Sequence, residues 1–220
     1  MAEEVTPIVE EYLETIYRIQ EEKGIAKTSD LVKMLNVSPG TITNTVERLE
    51  RDGYITHEPY KGVRLTDKGL EIAIQVVRRH RLVERLLTDI LHIEWYKVHD
   101  AACRMEHSIS EDLINPLEAA LRQPRTCPHG SPIPLRSGRI IEEKTQPLAE
   151  IDEGEHVEII RITNEDLELL EYLDRLGILP GVKLEVLEKA PFNGPLTLKV
   201  GGKICALSRE MASFIQVKLE

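Results

Sequence analysis

Apolar positions along the chain first recur at helical spacing and later alternate. Ile8, Tyr12, Ile16 and Ile19 share one face of a segment opened by Pro7 and closed by Gly24, which predicts a helix. Thr28-Ser29-Asp30 opens a second, short helix over LVKML, with hydroxyl and carboxylate groups placed for capping. A tight turn, Asn36 to Gly40, leads into a third, TITNTVERLERDG, with Ser38 as N-cap, Pro39 in the first helical position and Gly53 at the end. YITHEPYKGVRLT then reads as a hairpin about Tyr60-Lys61-Gly62. Thr66-Asp67-Lys68-Gly69 caps a long helix that runs without a breaker through IAIQVVRRHRLVERLLTDIL. After His92-Ile93-Glu94-Trp95 another helix is expected to reach about Leu121. Residues 123–147 hold five prolines and no periodicity, the composition of a linker. From Glu155 the period changes to two: HVEIIRI, KLEVLEKA, LTLKV, KICALS and FIQVKL read as strands, with a helix, EDLELLEYLDRLG, after the first.

The expected fold is mainly α with a β-rich C-terminal domain. Three short helices with a tight turn before the third, followed by a hairpin, is the winged helix-turn-helix order, placed at 1–75. Residues 76–122 form an all-helical domain, 123–147 the linker, and 148–220 a small SH3-like (FeoA-like) β-barrel, whose fold does not by itself give a function. The third helix turns Thr41, Thr43, Asn44, Thr45 and Arg48 to solvent, short polar groups that can approach base edges or phosphates. The competing reading is a surface helix that only caps a small bundle. Leu113, Leu117 and Leu121 extend an apolar stripe with little other core available, which points to a helix-to-helix homodimer.

Chemistry concentrates in Val98 to His107, VHDAACRMEH. On a helix at about 100° per residue, His99, Cys103, Glu106 and His107 fall within one arc roughly 100° wide. Val98, Ala102, Met105 and Ile109 take the neighbouring face. A single such cysteine is usually a small buried hydrophobe. Imidazoles, a thiol and a carboxylate on one face, with His80 and Glu84 at i and i+4 upstream, favour a first-row transition metal.

Composition modifies this picture in two ways. The formal net charge of −10 and pI of about 5.3 do not suggest a nucleic-acid binder, so any DNA contact must come from local Lys and Arg. Three cysteines, at 103, 127 and 205, make no disulfide framework, and the acidic start has no signal-peptide character. With no apolar run of membrane-spanning length, a cytoplasmic protein is expected.

EEYLETIY, VERLERDG, RHRLVERLLTDIL, KVHDAACRMEH and HGSPIP together resemble the metal-dependent repressors of the diphtheria toxin repressor and iron-dependent regulator type, over nearly the whole chain. The resemblance implies a homodimer that binds double-stranded operator DNA when loaded with Fe(II) or a similar metal, with no membrane and no small organic substrate. It implies a primary metal site of Glu11, Cys103, Glu106 and His107 and an ancillary site of His80, Glu84 and His99. It maps DNA contacts onto Thr28, Ser38, Pro39, Thr41, Thr43, Asn44, Arg48, Arg51 and Lys61, and a backbone contact onto Ser29. Iron-responsive members usually carry Met where this chain has Glu11, and manganese-responsive ones Glu where it has Cys103. The donor set is a hybrid, harder than the iron set and softer than the manganese set. The resemblance makes Fe(II) the first choice with Mn(II) open, and Co, Ni or Zn can substitute in vitro. The family's barrel can add ligands near the start of its helix, where Glu165, Asp166 and Glu168 are equally open. Two rival readings are a winged-helix regulator of an organic ligand and a zinc enzyme using Cys103, Glu106 and His107 with Glu84 as base. The second leaves the winged domain idle and lacks the usual zinc-hydrolase helix motif.

Overall fold

A computed structural model describes residues 5–58 and 60–220. Its contacts divide the chain into two units: residues 1–80 with 106–110 and 134–139, and residues 81–105 with 111–133 and 140–220. The division cuts the long fourth helix between His80 and Arg81.

In the first unit, α1 (Pro7–Lys23) starts with Thr6 accepting from the Val9 amide and stops at Gly24, which is left-handed at φ 78°. Tyr12, Leu13, Ile16 and Ile19 are buried. α2 (Thr28–Leu35) has Lys27 at its N-cap with no side-chain cap, so the expected hydroxyl cap does not form; Asp30 instead pairs with Lys23 at 3.0 Å. α3 (Pro39–Arg51) is capped by Ser38, whose hydroxyl accepts from the Thr41 amide at 3.2 Å. Ile42, Val46 and Leu49 are its buried face. β1 (Ile55–Glu58) and β2 (Gly62–Leu65) pair antiparallel as the wing; Pro59, between them in sequence, lies outside the described residues. Ala26 bridges to Val63, tying the wing to the start of α2. α4 (Asp67–Arg85) is capped by the Thr66 hydroxyl on the Gly69 amide.

In the second unit α4 continues into one π-helical turn, Leu86–Ile90, and a short 3-10 turn, Trp95–Lys97, precedes α5 (Val98–Met105). The helix expected to run on to Leu121 is broken: a 3-10 turn, Glu106–Ser108, interrupts it, and α6 (Glu111–Ala120) starts afresh after Ser110 with Glu111 and Asp112 in its first turn. Two serines and two acids at that point favour a new N-terminus over helix interior.

The barrel follows with β3 (Gln146–Pro147), β4 (His156–Ile162), α7 (Leu167–Leu176), β5 (Lys183–Lys189), β6 (Leu196–Val200), β7 (Lys203–Leu207), α8 (Arg209–Ser213) and β8 (Ile215–Leu219). Its strands lie in the order β3-β8-β4-β5-β6-β7, antiparallel throughout, with register shifts in the β4–β8 and β5–β6 pairs that let a short sheet curl. Val157, Ile159, Leu184, Val186, Leu196, Leu198, Ile215 and Val217 point inward at every second position, Ile162 joins them beyond the β4 shift, and they meet Leu169, Leu170 and Leu173 of α7. No helix among the described residues is long and apolar enough to cross a membrane.

Candidate metal centres and nucleic-acid face

Most of the polar face of α3 is exposed, Thr45 being half-buried. Thr28, Ser38, Pro39, Thr41, Thr43, Asn44, Arg48, Arg51 and Lys61 are all exposed, while the opposite side of α3 is core. The Thr43 hydroxyl returns to the Pro39 carbonyl at 3.1 Å, which leaves Asn44 as the outward amide of this turn. Lys61 and Arg64 both reach Glu58, at 3.1 Å each, and so stiffen the wing.

The first unit also gathers a charged cluster. Glu106 is buried and accepts from His80 Nδ1 at 2.6 Å and His107 Nε2 at 3.2 Å. His107 Nδ1 donates to Glu10 at 2.8 Å, and Arg79 pairs with the same Glu10 carboxylate. Burial would raise the Glu106 carboxyl, but its bonds to His107 and His80 win and bring it down to about 2. The bonds to Glu10 and Glu106 push His107 up to about 10. Glu14, buried and paired with Arg18, joins His80 and Glu106 with ligand atoms within 4.8 Å of one another.

Of the primary set expected from the sequence, Glu106 and His107 therefore meet here. Glu11 does not: its side chain is exposed, and Glu10, about 100° round the helix, takes the contact with His107. Glu10 and Glu14 are i and i+4 on α1. That spacing was visible in the sequence.

In the second unit four segments converge. Glu84 comes from the end of α4, His99 from the start of α5, Cys127 and His129 from the proline-rich stretch, and Glu165 from the loop just before the α7 N-cap Asp166. Glu84, Cys127, His129 and Glu165 each offer a ligand atom within 4.8 Å of the others, and the first three are buried. His129 Nδ1 lies 3.2 Å from Glu84, 3.6 Å from Glu165 and 4.0 Å from Cys127 Sγ. His99 Nδ1 lies 2.7 Å from Glu165 and 3.7 Å from Glu84, and Cys103 Sγ is 3.7 Å from His99 Nε2. Burial would lower both histidines, yet bonds to Cys103, Glu165 and Glu84 push His99 up to about 11, and bonds to Cys127 and Glu84 push His129 up to about 11. Burial, then the Glu84 charge, raises the Cys127 thiol.

Thus Glu84 and His99 of the expected ancillary set come together, Cys103 joins them through His99, and His80 is described with Glu106 in the other unit. Glu165 is a member, and Glu168 and Asp166 are exposed, Asp166 being spent as helix cap. Cys127 and His129 were hidden by the prolines around them. Their stretch is ordered and buried: the Cys127 amide bonds the Ser131 carbonyl, and the Ile162 amide bonds the His129 carbonyl at 2.9 Å. A Cβ on Gly130 would fall 2.0 Å from the Ile160 carbonyl, so the backbone lies directly on β4. The Cys127-Pro128-His129-Gly130 run, two ligand-type residues about a proline, was the available signal.

The donors suit a divalent first-row metal. Two carboxylates, an imidazole and a thiol is a mixed O, N, S set, and a buried carboxylate such as Glu84 needs a counter-charge. An exposed polar recognition helix with its wing, and buried clusters of metal-ligand side chains, define a metal-responsive DNA-binding regulator.

Comparison with known proteins agrees. Residues 4–63 match the iron dependent repressor N-terminal DNA binding domain, 66–135 the iron dependent repressor metal binding and dimerisation domain, and 146–219 the FeoA domain. The chain is 34% identical to the iron-dependent repressor IdeR of Mycobacterium leprae, covering 95% of this chain and 96% of that protein. It is 31% identical to the diphtheria toxin repressor of Corynebacterium glutamicum, covering 95% of each. A solved manganese-dependent transcriptional repressor in complex with manganese superposes with a TM-score of 0.88 at 30% identity, covering 96% of this chain and 100% of that one. The chain belongs to the diphtheria toxin repressor and iron-dependent repressor family, metal-dependent transcriptional repressors that bind DNA and are not enzymes.

Proposed function

We propose that this chain is a cytoplasmic, homodimeric repressor whose operator affinity is set by a divalent metal, Fe(II) in the first instance, bound at two centres per chain. The observation that carries the proposal is the buried Glu84–Cys127–His129–Glu165 cluster, in which residues far apart in sequence converge with ligand atoms within 4.8 Å. His99 stands beside it through Glu165. Together with Cys103 the chain offers two thiols to its centres, and sulfur donors favour Fe(II) over the harder Mn(II).

The regulatory centre is assigned to Glu106, His107 and Cys103, with Glu11 as the acid from α1 and Glu14 and His80 adjoining. Glu10 is already committed to Arg79 and His107. Once His107 gives up its proton that pairing weakens, and a turn of α1 by about one residue exchanges Glu10 for Glu11. A bound cation supplies positive charge to carboxylates that otherwise repel the duplex. Thr28, Ser38, Pro39, Thr41, Thr43, Arg48, Arg51 and Lys61 then hold phosphates and backbone, and Asn44 reads a base edge. A dimer presents two such faces to two half-sites, and metal and DNA affinities rise together, by reciprocity.

The test is an anaerobic titration of Fe(II) and Mn(II), followed by operator shift with and without each metal. Tighter Fe(II) binding with Fe(II)-stimulated shift supports the assignment. Operator binding indifferent to either metal would overturn it, and stimulation by Mn(II) alone would make the chain a manganese-responsive member.

A further inference from the structure

Trp95 is the only tryptophan of the chain, and it touches the second cluster from behind. Its backbone carbonyl accepts from His129 Nε2 at 3.0 Å, and its ring stands 5.6 Å from the His129 ring, tilted by 55°. That bond places a proton on Nε2 and leaves Nδ1, the nitrogen facing Glu84, Glu165 and Cys127, as the ligand atom. The other end of Trp95 reaches the barrel. Its indole N–H donates to Asp174 Oδ1 at 2.7 Å, and the ring packs partly buried against the barrel core.

Asp174 lies in the last turn of α7, while Glu165 sits immediately before the N-cap of the same helix. One end of α7 thus supplies a carboxylate to the cluster, and the other end is held by the indole. α7 is ten residues long and backed by Leu169, Leu170 and Leu173 in the core, so fixing Asp174 also fixes where Glu165 can stand.

We propose that Trp95 is the positioning residue of the second metal centre, orienting His129 through its carbonyl and setting Glu165 through the Asp174 tether on α7. This rests on the reading of Glu84, Cys127, His129 and Glu165 as a metal centre. No ligand atom belongs to Trp95 or Asp174, so their effect on the metal is through geometry alone. The tether also makes the barrel part of the sensor: loosening α7 from the indole loosens Glu165 from the cluster.

The test uses the full chain carrying Cys103→Ser and His107→Ala, so that the first centre is silent, titrated with Co(II) and followed by the thiolate-to-cobalt absorption that Cys127 supplies. In this background Trp95→Phe keeps a ring and removes the donor, Asp174→Leu removes the acceptor, and Asp174→Asn keeps an acceptor oxygen. Trp95→Phe and Asp174→Leu should each weaken Co(II) binding by about 10–100-fold, the usual effect of losing an outer-shell partner. Asp174→Asn should stay within a few-fold of the parent, and the Trp95→Phe/Asp174→Leu pair should be no worse than either alone. Trp95 emission should change on Co(II) addition in the parent and in Asp174→Asn. Parent-like Co(II) affinity in both Trp95→Phe and Asp174→Leu, with thermal melts showing folded protein, would overturn the positioning role. Equal loss in Asp174→Asn and Asp174→Leu would also overturn it, since the hydrogen bond would then not be what matters. The metal reading is tested separately by His129→Ala: unaltered Co(II) stoichiometry and thiolate absorption there would remove the centre itself.

Discussion

If the second cluster holds a metal, as proposed, loading it should expel protons, and its raised pKa values set the number expected. His129 is held protonated, with its pKa pushed up to about 11, and the buried Cys127 thiol is raised above its ordinary value. A ligand imidazole must be neutral and a ligand thiol ionised, so His129 and Cys127 give up one proton each. Both groups stay protonated from pH 6 to 8. Over that window the metal dissociation constant should fall about 100-fold per pH unit, or roughly 2.7 kcal/mol of binding free energy. An ordinary histidine, neutral above about pH 6.5, would leave only the thiol and a tenfold slope. The metal-free chain should show the opposite sign. A raised histidine pKa stabilises the fold fully below about 6.5, and that contribution is lost as pH rises towards 11. Melting temperature without metal should therefore drift down with rising pH while the metal-induced gain grows. The assay is Mn(II) calorimetry on the His107→Ala chain, in buffers of different ionisation enthalpy, at pH 6.5, 7.2 and 7.9 by choice. Release of two protons, or three if His99 also ligates, supports the geometry. One proton or none would refute the claim that His129 is charged in the folded chain.

Further outcomes follow from the first unit. Glu11→Ala should fold but lose metal-stimulated operator shift, whereas Glu10→Ala should keep the stimulation and release fewer protons, since His107 loses a bond that raises its pKa. The reverse pattern would make Glu10 the ligand. Asn44→Ala should relax sequence preference by about 1–3 kcal/mol in a competition shift assay, while Arg51→Ala should weaken all DNA alike and reduce the salt slope by about one. An unchanged salt slope would remove Arg51 from the phosphate contacts. Tyr60, fully exposed at the wing tip with φ 64°, carries left-handed strain, so Tyr60→Gly should raise unfolding stability by roughly 1 kcal/mol in urea melts; a loss would show that its side chain supports the wing.

The elements that periodicity could name were those whose core face is local. α1, α3, α4 and the five longer strands of the barrel each carry a clear 3.6 or 2.0 period and a cap or turn at the ends, and each formed where expected. The two-residue β3 and the five-residue α8 are too short to carry a period. Periodicity also let the helix from Val98 run too far, because the apolar stripe continues across Glu106–Ser108 while the backbone changes type. The site was half legible. Grouping His99, Cys103, Glu106 and His107 by helical angle marked four residues that the structure places in or beside the two clusters, but hydrogen bonds sort them among partners that no angle reveals. Glu10 and Glu11 differ by one residue, and only packing decides which of them faces His107. Cys127 and His129 escaped because five prolines give their stretch the composition of a linker, although its backbone amides and carbonyls are bonded and several of its side chains are buried.

Both clusters solve the same problem in the same way. A buried carboxylate without a counter-charge would cost several kcal/mol, and here the balancing charge comes from the chain's own histidines with raised pKa: His107 on Glu106, and His99 and His129 on Glu84 and Glu165, while His80 adds a hydrogen bond to Glu106. The fold then does not need a cation to form, unlike a small zinc domain whose binding energy is its folding energy. On the proposed reading, metal competes with protons at these preformed clusters. Most of its binding free energy is left to bias one arrangement of the DNA-reading face over others, and that differential is all a ligand can contribute to a switch. A metal-free chain should accordingly melt as a cooperative folded protein, with operator affinity rather than foldedness tracking metal. Loss of tertiary near-ultraviolet circular dichroism on chelation, at neutral pH and without denaturant, would contradict this and return the clusters to a structural role.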